Sequence, residues 1–339
     1  MKSIPILAIA CSLSLASFAK VITVNNNINS PGQYTNLQQA IDSASAGDTI
    51  YVHGSATSYG NVNVKKRLNF FGTGHNPAKT NILVSEIGTL QLDTLSGISG
   101  GSGTKIYGFL IKEVKGYTGS GGTKNVLISR NFFSPGSIGI AVKGSGWIVQ
   151  NNVISGTSIS VNNNMTVIIR NNIFSNGYVT SSNQPTVIVS NNVFVGSSYA
   201  LTSISNTLIS NNIFSGSTPN GSAVDNCSFS NNITYQTSNN AIPIGTNIGN
   251  GNFVAQDPKF TNVPTNIFSY AYNFTLAATS PGKNAGTDGT DIGVYGGVSP
   301  FIDMTGTPAI PQIKNLTIIN PVISVGDSLQ VIIKAKKQN

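Results

Sequence analysis

An all-β solenoid is the fold class this sequence predicts, and three observations carry the prediction. The first is a period: Asn131, Asn152, Asn172, Asn192, Asn212 and Asn232 recur at intervals of 21, 20, 20, 20 and 20 residues, five of the six directly after another Asn. A fixed repeat of that length means one coil of a stack per period, since each unit buries its apolar face only against its neighbours. The second is the pattern around each Asn. Residues 167–174, 187–194 and 208–214 read as a short β-branched strand, an Asn corner and another short strand. The third is composition: charged residues make up 9% of the chain, and windows this rich in Val, Ile, Asn, Gly and Ser disfavour helix. A polar linker would not hold apolar residues at fixed offsets from the Asn, and a leucine-rich repeat would need a Leu framework that is missing.

Asn suits a corner for two reasons. It tolerates left-handed backbone, and its amide hydrogen-bonds to the equivalent amide one coil away. The six Asn are therefore expected to form a stacked structural ladder.

Taken in order, the elements begin with an export signal over residues 1–19. Lys2 supplies the charge, Ile4 to Leu15 the apolar stretch and Ala16 to Ala19 a small-residue cleavage site. That stretch is too short to span a bilayer and no other run is longer, so no transmembrane segment is expected; too few apolar residues precede Cys11 for a lipoprotein. After cleavage Cys227 is the one thiol left. It shares a strand column with Val167, Val187 and Thr207, so a buried, unpaired thiol is expected and no disulfide framework. Residues 21–24 read as an opening strand and 36–46 as the one helix, with Asn36 as its cap, Leu37, Ala40, Ile41 and Ala44 as its apolar face and Gly47 as its stop. Such a helix covers the apolar end of the stack and its open strand edges. Less regular coils follow around residues 68–71, 82–84, 90–92 and 106–111, with Gly-rich turns at 97–103 and 119–122 that lack the context of a phosphate loop. The regular coils span residues 125–235.

On these residues the sequence resembles the secreted right-handed parallel β-helix proteins of the pectate-lyase-like superfamily. Residues 37–44 followed by 47–52 are similar to that group's capping helix and first strand, and the Asn-Asn corners to its asparagine ladder. Residues 257–260, 280–286 and 291–297 are similar to the closing coils of many such proteins, although Asn284 stands where an Asp is common and is given no acid's role. The resemblance implies a right-handed parallel β-helix with an N-terminal capping helix. The domain organisation then reads as a signal peptide at 1–19, the β-helix at 20–299 and a short C-terminal β extension at 300–339 that packs on it. No single activity is implied, because the fold hosts lyases, glycosidases, esterases, adhesins and proteins without chemistry.

Strand alternation sends i and i+2 inward together and i+1 outward. Val126 and Ile128, Trp147 and Val149, Val167 and Ile169, and Val187 and Val189 form the inward columns. The residues between them read Leu127, Ile148, Ile168, Ile188 and Leu208 before Ser228, an outward apolar stripe. At about 4.8 Å per coil the stripe is about 19 Å long. A stripe of that kind implies a cover. The expected cover is the C-terminal extension, where Pro300, Pro308, Pro311 and Pro321 punctuate strands at 313–319 and 329–333. A partner subunit and a bare, exposed tail are the alternatives.

Signals for catalysis are sparse. No Asp or Glu occurs between Lys115 and Asp225, so the regular coils hold neither the carboxylate pair of glycoside hydrolysis nor a carboxylate cluster for calcium. Polysaccharide β-elimination needs only a base and a cation beside the uronate carboxylate. Lys143, Arg130 and Arg170 are the candidates for it, against the ordinary role of solvated charge. Calcium enters only on that reading; otherwise no cofactor or metal is expected. His53 and His75 lack a second His at ligand spacing and read as turn or surface residues, and Asp288 and Asp291 read as supports for a Gly-Thr turn. Lys105, Lys112, Lys115 and Lys124, with Arg130 and Lys143, are opposed in their stretch only by Glu113. The four lysines are candidate contacts to an acidic, uronate-containing glycan or an anionic envelope, with plain solubility charge as the alternative. Nucleic acid is not expected, since the stretch lacks interleaved aromatic residues.

The expected protein is therefore a monomer, secreted or held at the cell envelope, that binds glycan or serves as a structural or adhesive surface without catalysis. The alternative is a polysaccharide lyase acting on an acidic glycan.

Overall fold

A computed structural model describes residues 19–28, 32–76, 83–94, 100–117, 119, 122–162, 165–181, 186–196, 198–302, 304–308, 310, 312–320 and 322–336. The signal-peptide reading with Lys2 and Cys11, Ile82, and parts of the turns at 97–103 and 119–122 lie outside the described residues.

Ten short strands, from Val21–Val24 to Ser228–Ser230, stack as one parallel sheet, each pairing with the strand one coil on. A second parallel sheet is folded at the strand Leu110–Lys115, which pairs with Phe132–Phe133 at its start and with Gly139–Val142 further on. One half of it, the short leg, continues through Val153–Ser155, Ile173–Ser175, Val193–Val195, Ile213–Ser215 and Ile233–Tyr235. The other half, the long leg, continues through Ser158–Val161, Tyr178–Ser181, Tyr199–Thr202 and Thr218–Asn220. Each coil thus presents three faces around one core, and the architecture is a parallel β-helix. The predicted inward pairs all point into that core, where Phe174, Phe194 and Phe214 stack with ring centroids 4.4 and 5.1 Å apart.

The Asn corners divide their two tasks between the two residues. The first member carries the left-handed turn: Asn151, Asn171, Asn191, Asn211 and Asn231 have φ of 51 to 57°, and Arg130 takes the same place before Asn131 at 59°. The second member forms the ladder. Asn172 Nδ2 donates to Asn192 Oδ1 at 3.0 Å and to the carbonyls of Val149 and Arg170, while Asn172 N donates to the same Asn192 Oδ1. The pattern runs from Asn131 to Asn232 and one rung beyond it, to Asn252. Every ladder amide from Asn131 to Asn232 is fully buried, where an unpaired amide is costly.

The N-terminal helix spans Leu37–Ser43, and Asn36 caps it by accepting from Gln39 N at 3.0 Å. It buries Leu37, Ala40 and Ile41 over the first coil. It ends before Gly47, because Ala44 is already extended and Ser43 Oγ donates back to Ala40 O.

The covering of the outer surface differs from expectation in two ways. The covered stripe is on the short leg: Val153, Ile173, Val193, Ile213 and Ile233 pack under Phe274, Leu276, Ile292, Val294 and Phe301. The cover is a strap that runs back along the Asn corners. The first Asn of four of the five pairs clips it, with Asn231 Nδ2 donating to Ala285 O, Asn211 Nδ2 to Thr287 Oγ1, Asn171 Nδ2 to Val294 O and Gly296 O, and Asn151 Nδ2 to Ser299 O. Residues 280–286 and 291–297, similar in sequence to closing coils, belong to this strap. At its far end Arg130 donates to Thr307 O, and His75, Phe132, Phe268 and Tyr270 form an aromatic cluster. His75 is buried there rather than at a turn surface, its Nδ1 2.8 Å from the Tyr270 hydroxyl, whose own proton goes to His75 O. Burial pushes the Tyr270 phenol well above its ordinary pKa.

Within the C-terminal extension, Gln312–Ile318 and Val331–Lys336 form an antiparallel hairpin. Its side chains at 315–319 and 331–335 are exposed, so the hairpin itself covers nothing among the described residues. The first-sheet stripe stays partly open, with Leu208 55% exposed.

Candidate functional site

The three faces of the coils differ in chemistry, and this difference locates the candidate site. The first sheet shows a partly exposed apolar stripe and the short leg is roofed by the strap. The long leg presents small polar side chains along its strands, with Ser158, Ser160, Thr180 and Thr202 half-buried on three successive coils, whereas the outward polar residues of the first sheet, such as Gln150, Thr166 and Arg170, stand at the strand ends. Two tyrosines interrupt them, Tyr178 at 38% and Tyr199 at 52% exposure.

Those tyrosines flank a groove of about 370 Å³ lined by Asn176, Gly196, Ser198 and Thr202. The volume falls within the ~300–1,000 Å³ of small-ligand sites. A second hollow of about 320 Å³ adjoins it past Tyr199, reaching Gly216, Thr218 and Ser238. The register accounts for the shape. Val179 pairs with Leu201, so Tyr199 lies one residue nearer the corner than the position opposite Tyr178. Along the corner, Gly196 keeps the wall low: a Cβ there would collide with Asn266 O, and its φ of 76° also favours Gly. The Thr202 hydroxyl lies 3.3 Å from Ser222 Oγ and the Thr218 hydroxyl 2.6 Å from Ser238 Oγ, which fixes the hydroxyls along the groove.

The cations singled out in the sequence are dispersed. Arg170 ends the strand Thr166–Arg170 at the Asn corner, where its Nε donates to Gln150 Oε1 at 3.0 Å and burial lowers its pKa. Arg130 sits on the same corner, tied to the strap. Lys143 follows the long-leg strand Gly139–Val142, at the opposite end of the first-sheet strands. About 13 Å of strand separates those ends, so the three do not converge on one reacting centre. Lys105 and Lys124 belong to the first-sheet side, in and before the strands Lys105–Tyr107 and Leu127–Ser129. Lys112 and Lys115 lie on Leu110–Lys115, and Lys115 Nζ is 3.3 Å from Glu113 Oε2, which also accepts from Thr89 Oγ1. Lys115 and Lys143 are neighbours on adjacent coils, since Lys115 pairs with Ala141. They form a small charged zone at the N-terminal side of the long leg.

Asp288 accepts from Thr290 N and Oγ1, which holds its carboxyl below the ordinary range, and Asp291 pairs with Lys283 Nζ at 2.7 Å. Both carboxylates brace turns of the strap. Among the described residues no group of three His, Cys, Asp or Glu side chains is placed to hold a metal ion, and no helix is long and apolar enough to cross a membrane.

The strand pairing defines a parallel β-helix whose long leg is open and polar. No protein-family model matches the chain. No curated protein matches it either. Among solved structures it is similar to the crystal structure of pectate lyase Pel9A at 13% identity and a TM-score of 0.37, the match covering 86% of this chain and 96% of that one. At that TM-score the likeness adds nothing to the strand pairing, which is what establishes the fold.

Proposed function

We propose that the protein is an exported β-helix whose long-leg face binds glycan without cleaving it. The observation that carries the reading is the exposed Tyr178 and Tyr199 pair, on successive coils and one residue out of register, over a groove lined by hydroxyls and an amide on the long leg. Exposed phenol rings offer flat apolar surface with a polar tip, which suits the C–H face of a sugar. Non-catalytic binding is favoured because the candidate bases and cations lie at opposite ends of the strands and no carboxylate lies between Lys115 and Asp225. Export is supported by the leader-like first residues and the low charge content.

Incubation with a panel of polysaccharides, read both as retention and as the absorbance of unsaturated uronate ends, tests this. Retention of at least one glycan with flat absorbance is expected. A rising absorbance that disappears in Lys143→Ala would replace the reading with a lyase.

A further inference from the structure

We propose that the groove between Tyr178 and Tyr199 takes an uncharged saccharide chain, a polymer of neutral hexoses or pentoses, and rejects uronates. The inference rests on the glycan-binding reading and supplies its substrate class. It departs from the acidic polymer expected from the basic stretch of sequence.

Charge decides the point first. The 54 residues from Asn171 to Val224 contain no Lys, Arg, Asp, Glu or His, and every side chain lining the groove and the adjoining hollow is neutral. Lys143 follows a strand two coils away and lies about 13 Å further along the strand direction than Tyr178, while Lys115 is three coils away and already paired with Glu113. Three coils amount to about 14 Å, beyond the ~10 Å screening length of 0.1 M salt. A carboxylate entering the groove would lose hydration without gaining a counter-charge, which is unfavourable.

Shape and hydrogen bonding point the same way. Tyr178 and Tyr199 are exposed on successive coils, one residue out of register, so they present stacking surface at two successive positions along the coil axis. Between them the Asn176 amide and the Ser198 and Thr202 hydroxyls, and past Tyr199 the Thr218 and Ser238 hydroxyls, both donate and accept, which matches sugar hydroxyls and gives no preference to an anion. The second hollow prolongs the groove past Tyr199, so a chain of sugars fits better than a single unit.

The test is equilibrium binding of the full chain to neutral oligosaccharides (xylo-, manno-, gluco- and galacto-series) and to uronate oligosaccharides, at about 0.05 and about 0.5 M NaCl. We expect one or more neutral series to bind, with affinity changing less than about twofold across that salt range. Tyr178→Ala and Tyr199→Ala should each weaken binding about tenfold, and Tyr178→Phe, which keeps the ring, should stay within about twofold of the parent. Binding of uronates in preference, falling with salt and lost in Lys115→Ala but not in the tyrosine variants, would overturn the neutral-chain inference while leaving glycan binding intact. Neutral binding that is indifferent to both tyrosine variants would overturn the placement in this groove. A panel on which nothing binds would overturn the glycan-binding reading itself.

Discussion

Adjacent asparagines in one corner carry different loads, and substitution should separate them. Asn172→Ala removes the acceptor for Asn152 N and Nδ2 and the donor to Val149 O, Arg170 O and Asn192 Oδ1, all inside the core. Several buried polar groups are stranded at once, so a loss of about 2–4 kcal/mol is expected from denaturant unfolding. Asn171→Ala loses two clips to the strap and forces a Cβ-bearing residue without a local hydrogen bond into φ of 51°. It should cost about 1–2 kcal/mol, and Asn171→Gly less, because glycine accepts that backbone. Cys227 provides the pH-dependent case at this scale. Its thiol is fully buried, and burial raises its pKa. The native state therefore holds this proton more tightly than the unfolded chain does. The stabilising contribution is complete below the ordinary thiol pKa and is lost as pH climbs through the raised one. Alkylation at about pH 8 should leave Cys227 unlabelled in native protein and label it on unfolding; rapid native labelling of Cys227 would contradict the buried assignment. The ladder and the thiol were legible in the sequence because both sit in a strict register. The division of labour within each Asn pair was not, since both members are the same residue and only backbone geometry tells them apart.

The strap and the hairpin make opposite predictions for truncation. Removing residues 311–339 takes away a hairpin whose described side chains are exposed, and stability should change little. Removing residues 285–339 also takes Ile292, Val294 and Phe301 off the short-leg stripe, so the protein should bind hydrophobic dye and lose solubility. Phe301→Ala alone should cost about 3 kcal/mol through the cavity it leaves. If the shorter truncation exposed as much dye-binding surface as the longer one, the strap would not be the cover. The sequence indicated that a stripe needed covering but pointed to the wrong one. Alternation along the strand before each Asn marks only the first-sheet stripe, whereas Val153, Ile173, Val193, Ile213 and Ile233, each directly after its ladder Asn, form the column that is roofed. Asn252, 20 residues after Asn232, continues the ladder. It was hidden because it lacks a second Asn and regular strands around it.

Across the whole molecule, a coil sends sequence neighbours to different faces and brings residues 20 apart together. The basic stretch looked continuous in the sequence and is scattered around the circumference for that reason. The tyrosine groove was obscure for the converse reason. Tyr178 follows its ladder Asn172 by six residues and Tyr199 follows Asn192 by seven, so a fixed period does not align them. What depends most on the coil register is the placing of successive long-leg strands side by side, with Ser160 opposite Thr180. Neighbouring parallel strands lie about 4.8 Å apart, within disulfide reach, and alternate ones about 9.6 Å apart, beyond it. The direct measurement is oxidative cross-linking of a Ser160→Cys, Thr180→Cys pair against a Ser160→Cys, Thr202→Cys pair in the folded protein. The β-helix predicts an intramolecular disulfide in the first and none in the second. Equal cross-linking in both, or cross-linking in the second alone, would contradict it.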